Sequence, residues 1–269
     1  FATKEITQRK LREDPILAIL QTIAHNVKIV GKKNATVIRN TIGNTTSTFY
    51  PAAGAAEPVD GGIRRDAVSE SWAAIIAGAG VSAFPTSSFM YIHISAAGVI
   101  NQWDALDRDI ILFDASPIAD TDDVTSVTMS VWGTSKLDNF PTSLAMNMDI
   151  YTSTPASTSN LVAADFQQVG SVSQTGGAVI TYANFTLGAY NDFVFNATGR
   201  SNVSKTGISK FGIRNANYDV STNVPLWQDA GTTYMEMNTA DVAGTANDPK
   251  LVVVHTAVAS GFIPKITWW

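Results

Sequence analysis

The chain has 269 residues and no cysteine, which excludes disulfide bonds, thiolate metal sites and a cysteine nucleophile. It has no run of about 18 or more apolar residues, so the sequence predicts no membrane-spanning helix. Charge is also scarce, because only 15% of the residues are Asp, Glu, Lys or Arg. The formal net charge of −5 argues against a nucleic-acid-binding protein, which needs a basic face to displace phosphate counterions.

Motifs of known catalytic sites are missing as well. The sequence contains no G-x-S-x-G elbow, no P-loop and no dinucleotide fingerprint. Its three histidines, His25, His93 and His255, form no zinc-ligand spacing, and we interpret each as a structural residue. We therefore expect a protein that is not an enzyme. A polysaccharide lyase or hydrolase is the enzyme alternative, since the spacing of carboxylates along a sequence does not reveal a pair facing across a cleft.

Short segments of alternating polarity are abundant. In residues 144–151, Leu144, Met146, Met148 and Ile150 fall on one face, a period of two that a half-buried strand requires. Residues 124–133 alternate in the same way. Further strands are predicted at Phe89–Ile94, Ile110–Phe113, Ala178–Tyr182, Asp192–Phe195, Lys210–Ile213, Thr233–Met237 and Leu251–Val254. With polar turns between these strands and no helices, residues 60–269 are predicted to form an all-β, jelly-roll-type antiparallel β-sandwich.

The first 50 residues have a different pattern and are predicted to form an N-terminal arm of one helix and one or two strands. Asp14-Pro15 is a helix start signal, with Asp as N-cap and Pro at the first helical position. A helix over about residues 15–26 follows, with apolar residues at helical spacing. These are Ile16, Leu17, Ile19, Leu20 and Ile23. Residues 51–59, rich in Ala, Gly and Pro, are predicted to be a linker.

Both ends of the chain are candidates for assembly contacts. The helix at 15–26 either packs on its own domain or docks on a neighbouring subunit, because terminal segments are ordered only where something holds them. Trp268 and Trp269 at the other end present the same choice, since Trp is enriched in subunit interfaces. We therefore expect other copies of this chain, or other proteins of the same assembly, as partners.

Two groups of residues are candidates for ligand binding. Asp120, Asp122 and Asp123 could supply oxygen ligands to Ca²⁺, although a solvated turn explains the same run of carboxylates. A sugar ring stacks on an aromatic face, and several aromatic residues are candidates for such a platform or for core positions. They are Trp227, Tyr218, Tyr234 and Trp132.

Two blocks of the sequence, RRDAVSESWAAIIAGAG and RDIILFDASPIADTDDVTSVTMSVWG, resemble the opening of DNRLRE-type domains. In that pattern an Arg precedes an apolar strand ending in Phe-Asp, then an Ile-Pro-like turn and a further apolar strand. Arg108, Phe113, Asp114, Ile118 and Val127–Val131 occupy these positions here. The segments YNDFVFN, GISKFGIRNANYD and DPKLVVVH resemble the closing strands, so the resemblance covers about residues 60–257.

The resemblance implies a jelly-roll sandwich similar to carbohydrate-binding modules, as found in secreted surface proteins and in structural proteins of tailed phages. From it we expect a non-enzymatic virion structural protein, a decoration, head-fibre or tail-associated subunit, located on the virion surface or outside the cell. Other capsid or tail proteins are the expected partners, beside further copies of the chain, and host-surface glycans are the expected ligands. A secreted carbohydrate-binding module or adhesin is the alternative, and so is a self-assembling extracellular filament subunit.

Overall fold

The computed structural model of the chain describes residues 41–66, 68–140 and 142–258. The chain divides into two units, residues 1–43 with 257–269, and residues 44–256. In the first unit the described residues, 41–43 and 257–258, are strand residues. The predicted helix at about 15–26, with Ile16, Leu17, Ile19, Leu20 and Ile23, lies outside the described residues, and so do Trp268 and Trp269.

Strands are the main regular elements of the described chain. They are β1 Thr41–Phe49, β2 Asp60–Arg65, β3 Ser82–Phe84, β4 Phe89–Ala96, β5 Trp103–Asp114, β6 Asp123–Asp138, β7 Asn147–Ser153, β8 Val169–Ser173, β9 Ile180–Thr181, β10 Tyr190–Val194, β11 Ile208–Asn215, β12 Thr232–Asn238 and β13 Lys250–Val258. The helical elements are short: α1 Trp72–Ala77, α2 Ala197–Ser201, a 3₁₀ helix Ala163–Gln168 and a π-helical turn Ala216–Val220.

The long strand β6 takes part in two sheets. Its residues 123–130 pair with β13 on one side and residues 128–132 with β10 on the other, and β13 is followed outward by β1. Its residues 133–138 pair with β12, which opens a second sheet in the order β6–β12–β4–β5–β11–β7–β8. In addition, β2 pairs with β5 and with β3, and β9 pairs with β7.

The core lies under the inward positions of these strands. Val127, Met129 and Val131 of β6 are fully buried, and so are the residues of β7 that the alternation assigned to one face. Phe193 of β10 and Leu251 of β13 pack in the same cluster. Because every strand predicted from residue 89 onward overlaps a described strand, and the registered pairs are antiparallel, the predicted all-β sandwich class is confirmed.

The start of the sandwich differs from the expected boundary at residues 50–60. Residues 44–49, expected in the N-terminal arm, are part of β1 and belong to the same unit as the rest of the sandwich. The segment 51–59 is held by hydrogen bonds at its end. The N–H of Val59 donates to Thr158 O at 3.0 Å, and Val59 O accepts from the N–H of Leu112 at 3.1 Å. Val59 is fully buried, so this end of the expected linker packs in the core.

Candidate functional site

The four aromatic residues proposed as sugar platforms occupy separate environments. Trp132 packs edge-on against Tyr190 across the β6–β10 pair, with ring centroids 5.1 Å apart. Trp227 packs against the core, and its Nε1–H donates to Ala97 O at 3.3 Å. The hydroxyl of Tyr218 donates to Leu144 O at 2.7 Å. These three side chains therefore have structural contacts of their own.

Tyr234 lies in a group of aromatic side chains on the outer side of the second sheet. We call Phe84, Phe89, Tyr91 and Tyr234 the aromatic face. Phe89 and Tyr91 stack with centroids 5.7 Å apart and an interplanar angle of 10°, and Tyr91 lies 6.0 Å from Tyr234.

The alternation of β4 produces this arrangement. Met90, Ile92 and Ile94 point into the core and are buried, so Phe89 and Tyr91 point outward. Phe84 and Phe89 are 37% and 43% exposed, which is unusual for aromatic rings of this size. Their exposure indicates a contact surface rather than part of the core.

Arg64 of β2 stands over the aromatic face. Its guanidinium carbon lies 4.9 Å from the centre of the Tyr91 ring and 5.3 Å from that of Phe84, both within cation–π range. Its Nε–H donates to both carboxylate oxygens of Asp107, at 2.8 and 2.9 Å. Arg64 and Asp107 are directly paired in the β2–β5 register, so the sheet itself places the ion pair. The guanidinium is therefore held in a fixed position.

A pocket of about 250 Å³ opens at this place. Phe84, Phe89 and Tyr91 form apolar walls, and Arg64 and Asp107 supply the charged groups. Gly62, which lies two residues before Arg64 in β2, lines the pocket as well. A few polar groups among aromatic walls is the usual make-up of a small-ligand site.

A buried acid lies behind Gly62. Asp109 is directly opposite Gly62 in the β2–β5 pair, and a Cβ at position 62 would be 3.3 Å from Asp109 Oδ1. Asp109 is fully buried, and neither carboxyl oxygen has a hydrogen-bond partner among the described residues. Burial, helped by the charges of Asp107 and Asp60, raises the pKa of Asp109 well above its ordinary value. The surroundings of Asp109 therefore favour the neutral form of its carboxyl.

His93 and Glu236 extend the polar rim of the aromatic face. His93 packs edge-on against Tyr91 at 5.6 Å, and its Nε2 lies 2.9 Å from the hydroxyl of Thr232. The Nδ1 of His93 is 3.7 Å from Asp107 Oδ1, too far for a hydrogen bond. Glu236 accepts a hydrogen bond from the hydroxyl of Thr134 at 2.7 Å. The rim thus offers both donors and acceptors to a polar ligand.

The carboxylates proposed as Ca²⁺ ligands lie in a turn whose backbone contacts Lys205. The backbone carbonyls of Asp120 and Asp122 accept hydrogen bonds from the ammonium of Lys205, at 2.5 and 2.6 Å. The carboxylate of Asp122 is 2.6 Å from His255 Nδ1, and the Asp123 side chain is exposed. Over the described ranges, no three His, Cys, Asp or Glu side chains are grouped so that they could hold a metal ion.

Most of the residues of this candidate site were not singled out from the sequence. Tyr234 was, whereas Phe84, Phe89, Tyr91 and the Arg64–Asp107 pair were not. The signal was present in FMYIHI, because large aromatic residues stand at the positions that the alternation assigns to solvent. The pairing of Arg64 with Asp107 depends on strand register, which joins residues 43 positions apart.

Comparison of the chain with models of known protein families gives no match, and comparison with curated proteins gives none either. None of the described helices is long and apolar enough to cross a membrane. The interpretation of function therefore depends on the geometry of the aromatic face and on the sequence.

Proposed function

We propose that this protein is a structural subunit of a virus particle whose β-sandwich binds a carbohydrate at the aromatic face. The observation that supports carbohydrate binding best is the pocket in which stacked, exposed aromatic rings surround a guanidinium fixed by Asp107. A pyranose ring has an apolar C–H face and a rim of hydroxyl groups. Aromatic walls suit the first feature, and fixed polar groups suit the second.

Arg64 is suited to bind sugar hydroxyls. Its Nε–H is used by Asp107, while Nη1 lies 3.8 Å from Asp66 Oδ2, beyond hydrogen-bond distance. Within the described ranges its two terminal nitrogens thus keep N–H groups for a ligand. Because the guanidinium is already held by the ion pair and by two rings, binding costs little side-chain entropy.

The charge around the pocket favours a neutral saccharide. The positive charge of Arg64 is balanced by Asp107, and Asp66 and Glu236 add negative charge nearby. An acidic sugar or a sulfate group would lose its hydration without gaining a net positive partner. We therefore expect neutral hexoses or their oligomers rather than uronates or sulfated sugars.

Glycan-array screening followed by titration calorimetry tests this function. We expect saturable binding to a neutral oligosaccharide and a loss of about two- to tenfold in affinity in Tyr91→Ala, since an aromatic contact contributes about 0.5–1.5 kcal/mol. Tyr50→Ala is the matched control, because Tyr50 is an exposed tyrosine outside the aromatic face. A flat array, or equal affinity in Tyr91→Ala and the unmodified protein, would overturn the proposal.

The role in a virus particle is a separate part of the proposal and has a separate test. Low charge, the absence of cysteine and the predicted N-terminal arm support it. Removal of residues 1–40, which leaves β1 intact, is expected to abolish higher-order assembly in light scattering while glycan binding persists. Assembly that survives this truncation would contradict the role of the arm. A secreted adhesin would instead bind the same glycan as a monomer, and a filament subunit would form fibres by itself.

A further inference from the structure

Outside the aromatic face, three polar side chains form a continuous chain of hydrogen bonds at the first sheet. Ser47 Oγ of β1 is 2.9 Å from His255 Nε2 of β13. His255 Nδ1 is 2.6 Å from Asp122 Oδ2, and Asp122 immediately precedes β6. Because β13 lies between β1 and β6, the imidazole stands between a hydroxyl on β1 and a carboxylate just before the start of β6.

The local backbone aims His255 at its two partners. The β13–β6 register shifts between Val254 and His255, where His255 pairs with Val124 instead of Thr125. A β-bulge of this kind turns a side chain away from the direction that regular pairing would give. The carbonyl of Asp122 is bound by the ammonium of Lys205, which fixes the backbone that carries the carboxylate.

The hydrogen bonds define the roles of the three groups. A carboxylate next to Nδ1 keeps the proton of a neutral imidazole on that nitrogen, so Nε2 has its lone pair available. This lone pair accepts the hydrogen bond of the Ser47 hydroxyl and is placed to take its proton. His255 and Asp122 are each only 7% exposed, whereas Ser47 is half-buried and more accessible. An accessible hydroxyl with a buried base and acid behind it is the arrangement of an activated serine.

A second histidine in the same chain makes only half of this arrangement. His93 Nε2 also lies 2.9 Å from a hydroxyl, that of Thr232. Its Nδ1 is 3.7 Å from Asp107 and makes no hydrogen bond. A histidine that contacts a hydroxyl in this fold is therefore not always hydrogen-bonded to a carboxylate through its other ring nitrogen. Thr232 provides an internal comparison for Ser47.

We propose that Ser47 is a nucleophile activated by His255, with Asp122 as the positioning residue, and that it accepts acyl groups from esters. In the first step the Ser47 O–H proton passes to His255 Nε2 while Ser47 Oγ forms a bond to the carbonyl carbon. The ester C–O bond then breaks, and the leaving alkoxide takes the proton from His255. Water then attacks the acyl carbon while His255 Nε2 takes one of its protons. The bond to Ser47 Oγ breaks and Oγ recovers the proton from His255, which gives a carboxylic acid and restores the serine.

The class of substrate follows from this chemistry. Activation of the hydroxyl and transfer of its proton favour reagents that already have a good leaving group, such as aryl acetates and fluorophosphonates. Small acetyl esters are the simplest acyl donors of this kind. This activity is independent of sugar binding at the aromatic face, and it would revise the expectation that the protein is not an enzyme.

Labelling of the full-length folded protein with a fluorophosphonate, followed by peptide mass spectrometry, tests the proposal. We expect the phosphonyl adduct on Ser47, none on Thr232, and loss of labelling after heat denaturation. Hydrolysis of p-nitrophenyl acetate should rise above the background rate and should be abolished in Ser47→Ala. An unlabelled Ser47 in the folded protein would overturn the proposal without recourse to any variant.

Variants separate activation from a structural role. His255→Gln should reduce the labelling rate of Ser47 by at least about 10²-fold, the lower range of general-base catalysis. Asp122→Asn should slow labelling while Asp122→Glu restores part of the rate, a pattern that loss of packing alone would not produce. Thr48→Ala, on the same strand, is the control and should label normally. Labelling of His255→Gln at the unmodified rate would also refute the assignment.

Discussion

Arg108 and Asp219 form a fully buried ion pair. The Nε–H and Nη2–H groups of Arg108 donate to the two carboxylate oxygens of Asp219 at 2.8 and 2.7 Å. Arg214 binds the same two oxygens in the same manner, at 2.7 Å each. Arg108 also donates to Phe166 O and lies 4.0 Å over the Phe166 ring. This cluster ties β5, β11 and the π-helical turn together inside the sandwich.

Replacement of Asp219 by Asn is predicted to destabilise the fold by about 3–5 kcal/mol, because it leaves two buried guanidinium groups without a counter-ion. Urea denaturation monitored by tryptophan fluorescence measures the change. Asp192→Asn is the control, since Asp192 is exposed, and it should change the free energy of unfolding by less than about 0.5 kcal/mol. A change below about 1 kcal/mol in Asp219→Asn would show that the cluster contributes little.

The same cluster predicts a sensitivity to acid. Burial alone would raise the pKa of Asp219, but the charges and hydrogen bonds of Arg108 and Arg214 hold it below its ordinary value. A lowered pKa in the folded state contributes stability above the unfolded pKa of about 3.8, and this stability is lost as the pH falls further. Stability curves between pH 5 and pH 2 should therefore be flatter in Asp219→Asn than in the unmodified protein.

Asp60 is predicted to have the opposite effect on stability. Burial raises its pKa to about 7, and Asp241 and Asp248 add to the rise. Because the folded-state pKa is raised, protonated Asp60 contributes stability that is fully present below the unfolded pKa of about 3.8. This stability is lost as the pH rises through about 7. Asp60→Asn should thus stabilise the protein at pH 8 by on the order of a few kcal/mol and have little effect at pH 4. Thermal melts at the two pH values measure this, and equal effects at both would contradict it.

Gly61 is predicted to tolerate no side chain. Its φ is +148°, and a Cβ there would lie 2.4 Å from Phe84 O. Gly61→Ala should lower stability by about 1–3 kcal/mol and should weaken glycan binding, since the clash displaces a wall of the pocket. Gly207→Ala is the matched control, because nothing lies within 4 Å of a Cβ at that position. Similar melting temperatures for the two variants would disprove the prediction.

The turn at residues 120–123 is predicted to be stabilised by Lys205 rather than by Ca²⁺. The Lys205 ammonium already binds the carbonyls of Asp120 and Asp122, which a cation in this turn would use. Addition of millimolar Ca²⁺ should leave the melting temperature unchanged, whereas Lys205→Ala should lower it. A rise with Ca²⁺ that disappears in Asp122→Asn would instead identify a metal site.

Alternation along the chain was sufficient to predict half-buried strands such as the first half of β6. It also located β7, although Asp149 and Tyr151 on the second face of that strand are buried as well. It missed β2, because DGGIRR has two glycines and no alternation, and β1, because its Thr-rich sequence resembles a loop. Pairing with β5 and β13 makes these segments strands, and such pairing is not visible in a local window.

The candidate sites were harder to predict for the same reason. The pair Arg64–Asp107 spans 43 positions, and Ser47–His255 spans 208. His255 was interpreted as a structural residue because no motif surrounds it in the sequence. Only the order of strands in the sheet brings Ser47 next to His255, and the bulge at His255 then orients the ring. Patterns within a strand identify exposed residues, but not the residues opposite them.

The membership of β6 in both sheets has a consequence for how the sandwich opens. The strand continues without a break from the pairs with β13 and β10 to the pairs with β12. Neither sheet can lose its pairing with β6 by local fraying while the other sheet keeps the whole strand in place. The amides of residues 124–138 should therefore exchange with solvent deuterium as one cooperative group, at a rate close to that of global unfolding.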